Sequence, residues 1–491
     1  MKRTRSPASS RRSPERRSAR WRRAMSGSES RIISLAEKQA KLREAATSSD
    51  EDLITEDGVA LEFAKQFEGF LRYNVDSKTW LHWTGTIWET DKVKRAFQYA
   101  RELARRVAQE APGHLRVTHS KVAFAANVET FAKTDPRLVT VYEDWDLDPY
   151  LLGTPGGTID LRTGELRPAL QSDMITRTTA VAPADTAECP QFLQFLDETF
   201  GGDTETVRFL QQWCGYCLTG DTTEQRFVFG EGKGGNGKGV LIGTALGILK
   251  DYATVVAMEA LTAAKHDRHP TEIAALRGKR LVTASETEGG REWAEARIKA
   301  LTGGDRIKAR FMRQDEFEFL PQFKLFVMGN NRPSLRNVDQ AMRRRLIVVP
   351  FNNDVPKEKR DPDLPKKLEA EWPGILRWMI DGCLDWQANR LISPKAVEDN
   401  TEEYFSGQDL LGQFLAEKCD LDPGNDRLTV GSTELYNAWK SYALVNGEEA
   451  EAQKVFSPKI AGRGFPQIRG ATGRGFSGIR LKPCPDFPLN A

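Results

Sequence analysis

The chain changes its hydrophobic rhythm several times, and each rhythm predicts a different element. Between Leu61 and Glu89, the runs Phe70-Leu-Arg-Tyr, Thr79-Trp-Leu-His-Trp and Ile87-Trp-Glu alternate aromatic and polar residues. That is the period of short antiparallel strands, with turns at Asp76-Ser77 and Thr84-Gly85-Thr86. Lys92 to Glu110 switches to a helical period with a basic polar face. Tyr150 to Leu166, with glycines at 153, 156, 157 and 164, predicts a tight β-meander. From Pro190 to Thr219 the apolar positions Phe192, Phe195, Leu196, Phe209, Leu210 and Trp213 fit helices packed on one face. Short apolar runs follow at Phe227-Val-Phe, Leu281-Val-Thr-Ala, Leu325-Phe-Val-Met and Leu346-Ile-Val-Val, each of strand length. Leu241 to Leu249 is apolar at helix length. Towards the end, helices are predicted over Leu410 to Lys418, Ser432 to Val445 and Lys454 to Ile460. Two strand-like runs about a glycine-rich turn come after Gly462. The fold class is therefore α/β at the centre, with an α+β region before it and a helical, hairpin-ended region after it.

Composition sharpens this outline. The 491 residues suffice for about three domains at roughly 150 residues each. Hydrophobic content of 39% and a mean hydropathy of −0.52 support buried cores. No run approaches the roughly eighteen apolar residues that a membrane helix needs, so no membrane partner is expected and the location is read as cytoplasmic. The six cysteines are sparse, which fits a reducing compartment rather than a disulfide framework. Cys214-Gly-Tyr-Cys217 has metal-ligand spacing but no second pair nearby, so buried helix thiols are expected there. Asp144, Asp146 and Asp148 alternate like a metal-holding set, yet their Trp- and Pro-broken loop favours a structural role. Residues 1–23 hold ten Lys/Arg against Glu15, a balance of +9 that leaves −7 on the other 468 residues of a chain whose net charge is +2. Residues 1–56 are expected to be a disordered tail and linker. The basic stretch fits a nucleic-acid arm, a transit-like segment, or an extension ahead of a start at Met25, the last being favoured.

The chemistry concentrates at Gly230 to Val240. Gly232-Lys-Gly-Gly-Asn-Gly-Lys238-Gly239 fits G-x-x-x-x-G-K-[ST] except at its last position, where Gly239 replaces the hydroxyl that would bind Mg²⁺. A glycine-rich turn between a strand and a helix lets backbone N–H groups close on phosphate oxygens. A plain surface turn is the alternative, and the residues that follow decide between them. The 281–285 run ends at Glu286 and Glu288, two residues apart, where an acid can hold Mg²⁺ or orient a water. The 324–328 run ends at Asn330, within hydrogen-bonding reach of a γ-phosphate. Arg343-Arg344-Arg345 precedes the 346–349 run. Singly, an Asn is a turn former and an arginine run a solvated face; in this order they favour an ATPase.

That order resembles the superfamily 3 helicases, AAA+ ring motors, and most closely their phage/plasmid primase-helicase branch. The residues carrying the resemblance are the loop, Leu276-Arg-Gly-Lys-Arg-Leu-Val with Ser285-Glu-Thr, Leu301-Thr-Gly-Gly-Asp-Arg-Ile-Lys-Ala-Arg310, Gly329-Asn-Asn-Arg-Pro333, and Arg344-Arg-Leu with Val349-Pro-Phe. Gly156-Gly-Thr-Ile-Asp-Leu-Arg-Thr-Gly-Glu165 resembles the domain preceding the motor in that branch. The resemblance implies an AAA+ P-loop core with a parallel sheet, ATP and Mg²⁺ as ligands, and a hexameric ring. It assigns ATP binding to Gly232, Gly234, Gly235, Asn236, Gly237, Lys238 and Gly239. Catalysis falls to Lys238, Glu286, Glu288 and Asn330, with Glu286 at the metal and Arg344 or Arg345 as a finger reaching a neighbouring subunit.

Asp305 to Phe319 alternates basic and apolar residues and then reverses, predicting a hairpin whose Lys308, Arg310 and Arg313 contact single-stranded or forked DNA. An exposed hairpin neutralised by Asp315, Glu316 and Glu318 is the alternative. The C-terminal three helices and basic hairpin suggest a winged helix, with Lys454, Lys459, Arg463, Arg469 and Arg474 near DNA; a wing that contacts protein is the other reading. The expected domains are residues 57–190 (N-terminal α+β), 191–220 (helical collar), 221–395 (motor) and 400–491 (winged-helix-like). The expected function is an ATP-dependent replication helicase of a phage, prophage or plasmid, in a bacterial cytoplasm, with any priming supplied by a separate primase or polymerase. A non-hydrolysing initiator and a packaging or recombination ATPase are the alternatives.

Overall fold

The computed structural model describes residues 55–263, 271–285, 292–311, 315–335, 339–353, 356, 358, 360–470 and 473–483. Two compact units divide it, Met1–Trp83 with Thr90–Tyr142, and Thr84–Glu89 with Glu143–Ala491.

In the first unit, α1 (Glu56–Phe67) starts where the Thr55 hydroxyl accepts from the Gly58 N–H at 3.0 Å, satisfying one of the free donors of a helix start. Strand β1 (Leu71–Asn74) pairs antiparallel with β2 (Thr79–Trp83) and parallel with β3 (Val139–Thr140). Helices α2 (Arg95–Glu110), α3 (Gly113–His119) and α4 (Val122–Ala132) complete it. Val59, Phe63, Leu71, Ala100, Leu103 and Val128 form its core.

The second unit opens with the meander β4 (Leu151–Thr154), β5 (Gly157–Asp160) and β6 (Glu165–Arg167). The sequence groups this meander with the N-terminal domain, whereas its buried residues Leu152, Ile159 and Leu161 join the central core. The reason lies in its polar ties. The Tyr252 hydroxyl accepts from the Gly153 N–H at 2.9 Å, and the buried Arg280 guanidinium donates to the Leu151 carbonyl at 2.7 Å and to that of Leu218.

Helices α5 (Pro190–Phe200) and α6 (Thr204–Tyr216) follow. α6 packs on α8 (Trp372–Asn389) at backbone contact: a Cβ at Gly215 would strike Met379, Gly382 and Cys383, and one at Gly382 would strike Gln211. The thiols of Cys214 and Cys217 are free, buried and raised by burial, as expected of structural cysteines.

Five strands, β7 (Phe227–Glu231), β8 (Ala253–Val255), β9 (Leu281–Ser285), β12 (Lys324–Gly329) and β13 (Leu346–Pro350), form one parallel sheet in the order β13-β7-β12-β9-β8. Val228, Phe326, Ile347 and Val349 bury into one core, and Phe227, Phe229, Val282, Leu325, Val327 and Val348 into another. Burial on both faces is why these strands are continuous apolar runs rather than alternating ones. The β13 edge is covered by α9 (Lys395–Gln408), whose Thr401 hydroxyl accepts from the Val348 N–H at 2.9 Å. Ser406 to Gln408 are the last turn of that helix.

Between β9 and β12, β10 (Ile307–Arg310) and β11 (Glu316–Phe319) pair as the expected hairpin. The C-terminal part holds α10 (Leu410–Lys418), α11 (Ser432–Val445) and α12 (Gln453–Gly462) around Phe414, Leu435, Trp439, Phe456 and Phe476. Beside them, β14 (Thr429–Gly431), β16 (Gly473–Ser477) and β15 (Gln467–Gly470) make a three-stranded sheet in that order.

Candidate nucleotide site and the cations around it

The glycine-rich loop leaves the carboxyl end of β7 and enters α7 (Lys238–Leu249). Its glycines are needed for space and for backbone conformation. Gly235 and Gly237 have φ of +85° and +87°, which side chains other than glycine rarely adopt, and a Cβ at Gly237 would meet Phe195 and Thr199 of α5 at 2.8 and 2.9 Å. Asn236 is 1% exposed and pins the loop by donating to the Phe351 carbonyl at 2.6 Å. Lys238, at the first turn of α7, donates from Nζ to Gly232 O at 2.5 Å, Lys233 O at 3.0 Å and Asn236 Oδ1 at 2.9 Å. The ammonium is thus held inside the curl of the loop, beside the helix N-terminus that favours anions.

A cavity of about 600 Å³ opens over this loop, lined by Gly234 to Val240 together with Ser285, Met328, Gly329 and Asn330. The strand register explains the grouping, because Gly329 pairs with Glu231 and Ser285 with Met328, so three strand ends meet there. Asn330 is therefore brought to the loop. Glu286 and Glu288 lie outside the described residues, as does Arg313. Gly239 has ordinary helical backbone, and a Cβ there would meet nothing within 4 Å.

Three features here escaped the sequence reading. The Arg360 guanidinium lies over the loop, its atoms 2.6–2.7 Å from where a Gly235 Cβ would stand. No motif marks that arginine, which comes in after the last strand. Ser285 places a hydroxyl at the cavity, and its position just before Glu286 was the available signal. Arg332 ties the loop's entry to α9: it donates to Glu231 at 2.6 Å and to Asn400 Oδ1 at 3.0 Å, and the Glu231 bond raises its pKa.

The three arginines before β13 separate by partner. Arg343 pairs with Glu402 at 2.8 Å and lies over the Phe405 ring. Arg345 turns inward to Thr302 Oγ1 at 3.2 Å and Ala341 O at 3.0 Å. Arg344 is exposed and, among the described residues, its guanidinium has no hydrogen-bond or ion-pair partner. Arg344 and Arg345 line a second cavity of about 410 Å³ with Arg226, Arg390 and Glu224. Leu346 pairs with Phe227 and Pro350 with Glu231, so this cavity lies at the amino end of the sheet, about 13 Å of strand from the loop.

On the hairpin, Lys308 faces Glu318 and Arg310 faces Glu316, and the Lys308–Glu318 pair closes to 3.7 Å. In the C-terminal part Lys459 pairs with Glu451 at 2.9 Å, and Arg463 makes a bidentate pair with Asp409 at 2.5 and 2.9 Å. Burial works to raise the Asp409 carboxyl, but the bonds from Arg463 and the Gly412 N–H outweigh it and hold the group low. Arg469 and Arg474 stand directly opposite each other across β15 and β16, both exposed. Among the described residues neither has an acidic partner.

Fold and site together define a mixed α/β protein with a phosphate-loop motif at the carboxyl edge of a parallel sheet. Residues 60–201 match the family described as D5 N terminal like, and residues 231–345 match a family of unknown function, DUF5906. The chain is 26% identical over 294 residues to a protein named "Putative helicase" in Acanthamoeba polyphaga mimivirus, covering 55% of this chain and 31% of that one. A protein of the same name in Frog virus 3 (isolate Goorha) is 26% identical over 275 residues, 51% of this chain and 28% of that one. The chain thus spans less than a third of the length of these relatives. The solved apo C-terminal region of NrS-1 aligns with 86% of this chain and 100% of its own at a TM-score of 0.49 and 11% identity. The D5-type match and the viral relatives show that the chain is similar to proteins named as viral helicases over about half of its length.

Proposed function

We propose that the chain is an ATP-dependent DNA helicase of phage or plasmid replication, acting as an oligomeric ring on single-stranded or forked DNA in the host cytoplasm. The observation that carries this reading is the division of the sheet into two chemically opposed ends. At the carboxyl end, the loop, Lys238, Ser285 and Asn330 surround one cavity, while at the amino end Arg344 is exposed and unpartnered. Arg344 is too far from its own loop to serve it, so its use is at the loop of a neighbouring copy. This supports a ring, six-membered in the family, in which hydrolysis needs two subunits. Placing the loop strand second in the sheet, between the edge strand that follows the arginines and the Asn330 strand, fits an AAA+ core.

In this reading Gly234 to Gly237 and the α7 N-terminus bind the phosphates, Lys238 neutralises them, and Asn330 orients the attacked group or its water. The residues present fit a nucleotide in loop, cavity and cation. Mg²⁺, when bound, neutralises phosphate charge, and Ser285 and Glu286 are the groups proposed to hold it. Arg360 adds a cation from the same chain. Lys308 and Arg310 on the hairpin, and Arg469 and Arg474 on a winged-helix-like hairpin, are the proposed DNA contacts.

The test is ATP hydrolysis by the purified protein with and without single-stranded DNA, alongside unwinding of a forked duplex. DNA-stimulated turnover that Lys238→Ala abolishes is expected. Nucleotide binding that orders an oligomer without turnover sinks the motor reading and leaves a non-hydrolysing initiator. Turnover without unwinding points to packaging or recombination.

A further inference from the structure

The basic helix of the first unit has no part in the motor chemistry. Between Lys92 and Lys121 the chain carries eight Lys/Arg against only Glu102 and Glu110, in a protein whose residues beyond the tail sum to a negative charge. α2 buries Ala96, Ala100, Leu103, Ala104 and Ala108, so its opposite side must face outward. Lys94, Gln98, Arg101 and Arg105 recur on that side at i, i+4, i+7 and i+11, a line about 16 Å long.

Lys94, Arg101 and Arg105 are exposed. Arg101 donates to the Gln98 side-chain oxygen at 3.1 Å, and Gln98 donates on to Glu102 at 2.8 Å. Among the described residues Lys94 and Arg105 have no ion-pair partner. The Asp91 carboxylate just ahead of α2 is buried, accepting from the Ala96 N–H at 3.1 Å and pairing with Arg95 at 3.6 Å, so it meets the helix N-terminus and Arg95 and leaves Lys94 without an ion pair.

We propose that this face of α2 binds the phosphate backbone of duplex nucleic acid, independently of the motor site. The line holds cations and amide groups, which serve phosphates, and no exposed aromatic that could anchor a protein partner or stack on bases. Successive cations, seven and four residues apart, rise about 10 and 6 Å along the helix, a spacing that follows a strand of phosphates. Binding is therefore indifferent to sequence and steeply dependent on salt.

The experiment measures binding of the full chain to a duplex closed by hairpins at both ends, which offers no single strand to a channel, at 50 to 200 mM salt. The variant Lys94→Gln/Arg101→Gln/Arg105→Gln loses three phosphate contacts, so its log–log salt slope is shallower by about 2.7. Over that range the wild type then loses about forty-fold more affinity than the variant. Arg101→Lys/Arg105→Lys keeps the wild-type slope. If the triple variant misfolds, the single Arg105→Gln is read instead, with a slope change of about 0.9. An unchanged slope overturns the proposal, and so does competition by poly-glutamate equal to that of duplex at matched charge, which would mark an acidic protein site. Single-stranded-DNA-stimulated ATPase of the same variant stays at the wild-type level, which separates this face from the motor.

Discussion

Gly239→Ser restores the hydroxyl that the loop lacks, and the structure sets what it should do. A Cβ at this position meets nothing within 4 Å, and the backbone is helical, so there is no steric or conformational cost. Replacing glycine by serine inside α7 should stabilise the helix by about 0.5 kcal/mol from propensity alone. The hydroxyl would then stand one residue after Lys238, beside the cavity, where it can replace a water on the nucleotide's Mg²⁺. A net gain of about 1 kcal/mol for such a neutral contact corresponds to a roughly five-fold lower half-saturating Mg²⁺ concentration. The assay is steady-state ATPase titrated with Mg²⁺ at saturating ATP, with nucleotide affinity measured separately. Activity that is retained or raised, with the Mg²⁺ midpoint shifted down, is the expected result. A sharp loss of nucleotide affinity in a folded variant would refute the reasoning, because the loop must then hold its ligand in another way.

Arg344→Ala should abolish turnover without weakening nucleotide binding, and mixing it with Lys238→Ala should restore activity by pairing intact half-sites; a mixture as dead as its components would rule out a shared site. Arg360→Ala should weaken nucleotide affinity about five- to thirty-fold, read by equilibrium binding, since one charged hydrogen bond is worth about 1–2 kcal/mol; unchanged affinity would show that its place over Gly235 is incidental. Lys324 is buried, its pKa pulled down to about 7 by burial while it donates to the Thr219 and Asp221 carbonyls. A lysine whose folded pKa lies below its unfolded value destabilises the fold while it is charged, so stability should rise by about 1–2 kcal/mol from pH 7 to 8.5. The range stops there because the Cys217 and Cys383 thiols, both raised to about 12, work the other way once unfolded thiols ionise. The urea midpoint followed against pH checks this, and Lys324→Met should flatten that part of the profile.

The strands and helices were largely legible because each has a burial requirement that writes itself into the sequence. Leu346-Ile-Val-Val had to be apolar throughout, being buried on both faces, and α11 kept Leu435 and Trp439 on one side. Contacts between distant segments left no such mark. Nothing in Arg343-Arg344-Arg345 says that the first meets Glu402, the third Thr302, and only the second is open, since that depends on where the α9 helix and residue 302 come to lie. Arg360 was invisible for the same reason. The meander's ties to the central core were not legible because they lie in single polar groups, Tyr252 and Arg280, far along the chain. The hairpin kept both of its readings at the level of sequence. In the structure Lys308 lies against Glu318, so a phosphate would have to displace a carboxylate there, whereas at Arg469 and Arg474 it would relieve a repulsion.

In the proposed helicase, that contrast bears on where DNA would be gripped most firmly. Two arginines held opposite each other cost stability unless an anion sits between them, whereas an exposed Lys–Glu pair contributes roughly 0–1 kcal/mol and is readily exchanged. Removing both Arg469 and Arg474 should therefore leave the C-terminal part slightly more stable but weaken DNA binding at all times in the ATP cycle. Removing Lys308 should change the grip by less, and only to the extent that a moving hairpin separates it from Glu318. Strong static contact at the C-terminal hairpin and weak, exchangeable contact at the central one is the combination a motor needs. A protein that advances along a strand must release the contact it moves while keeping hold with another.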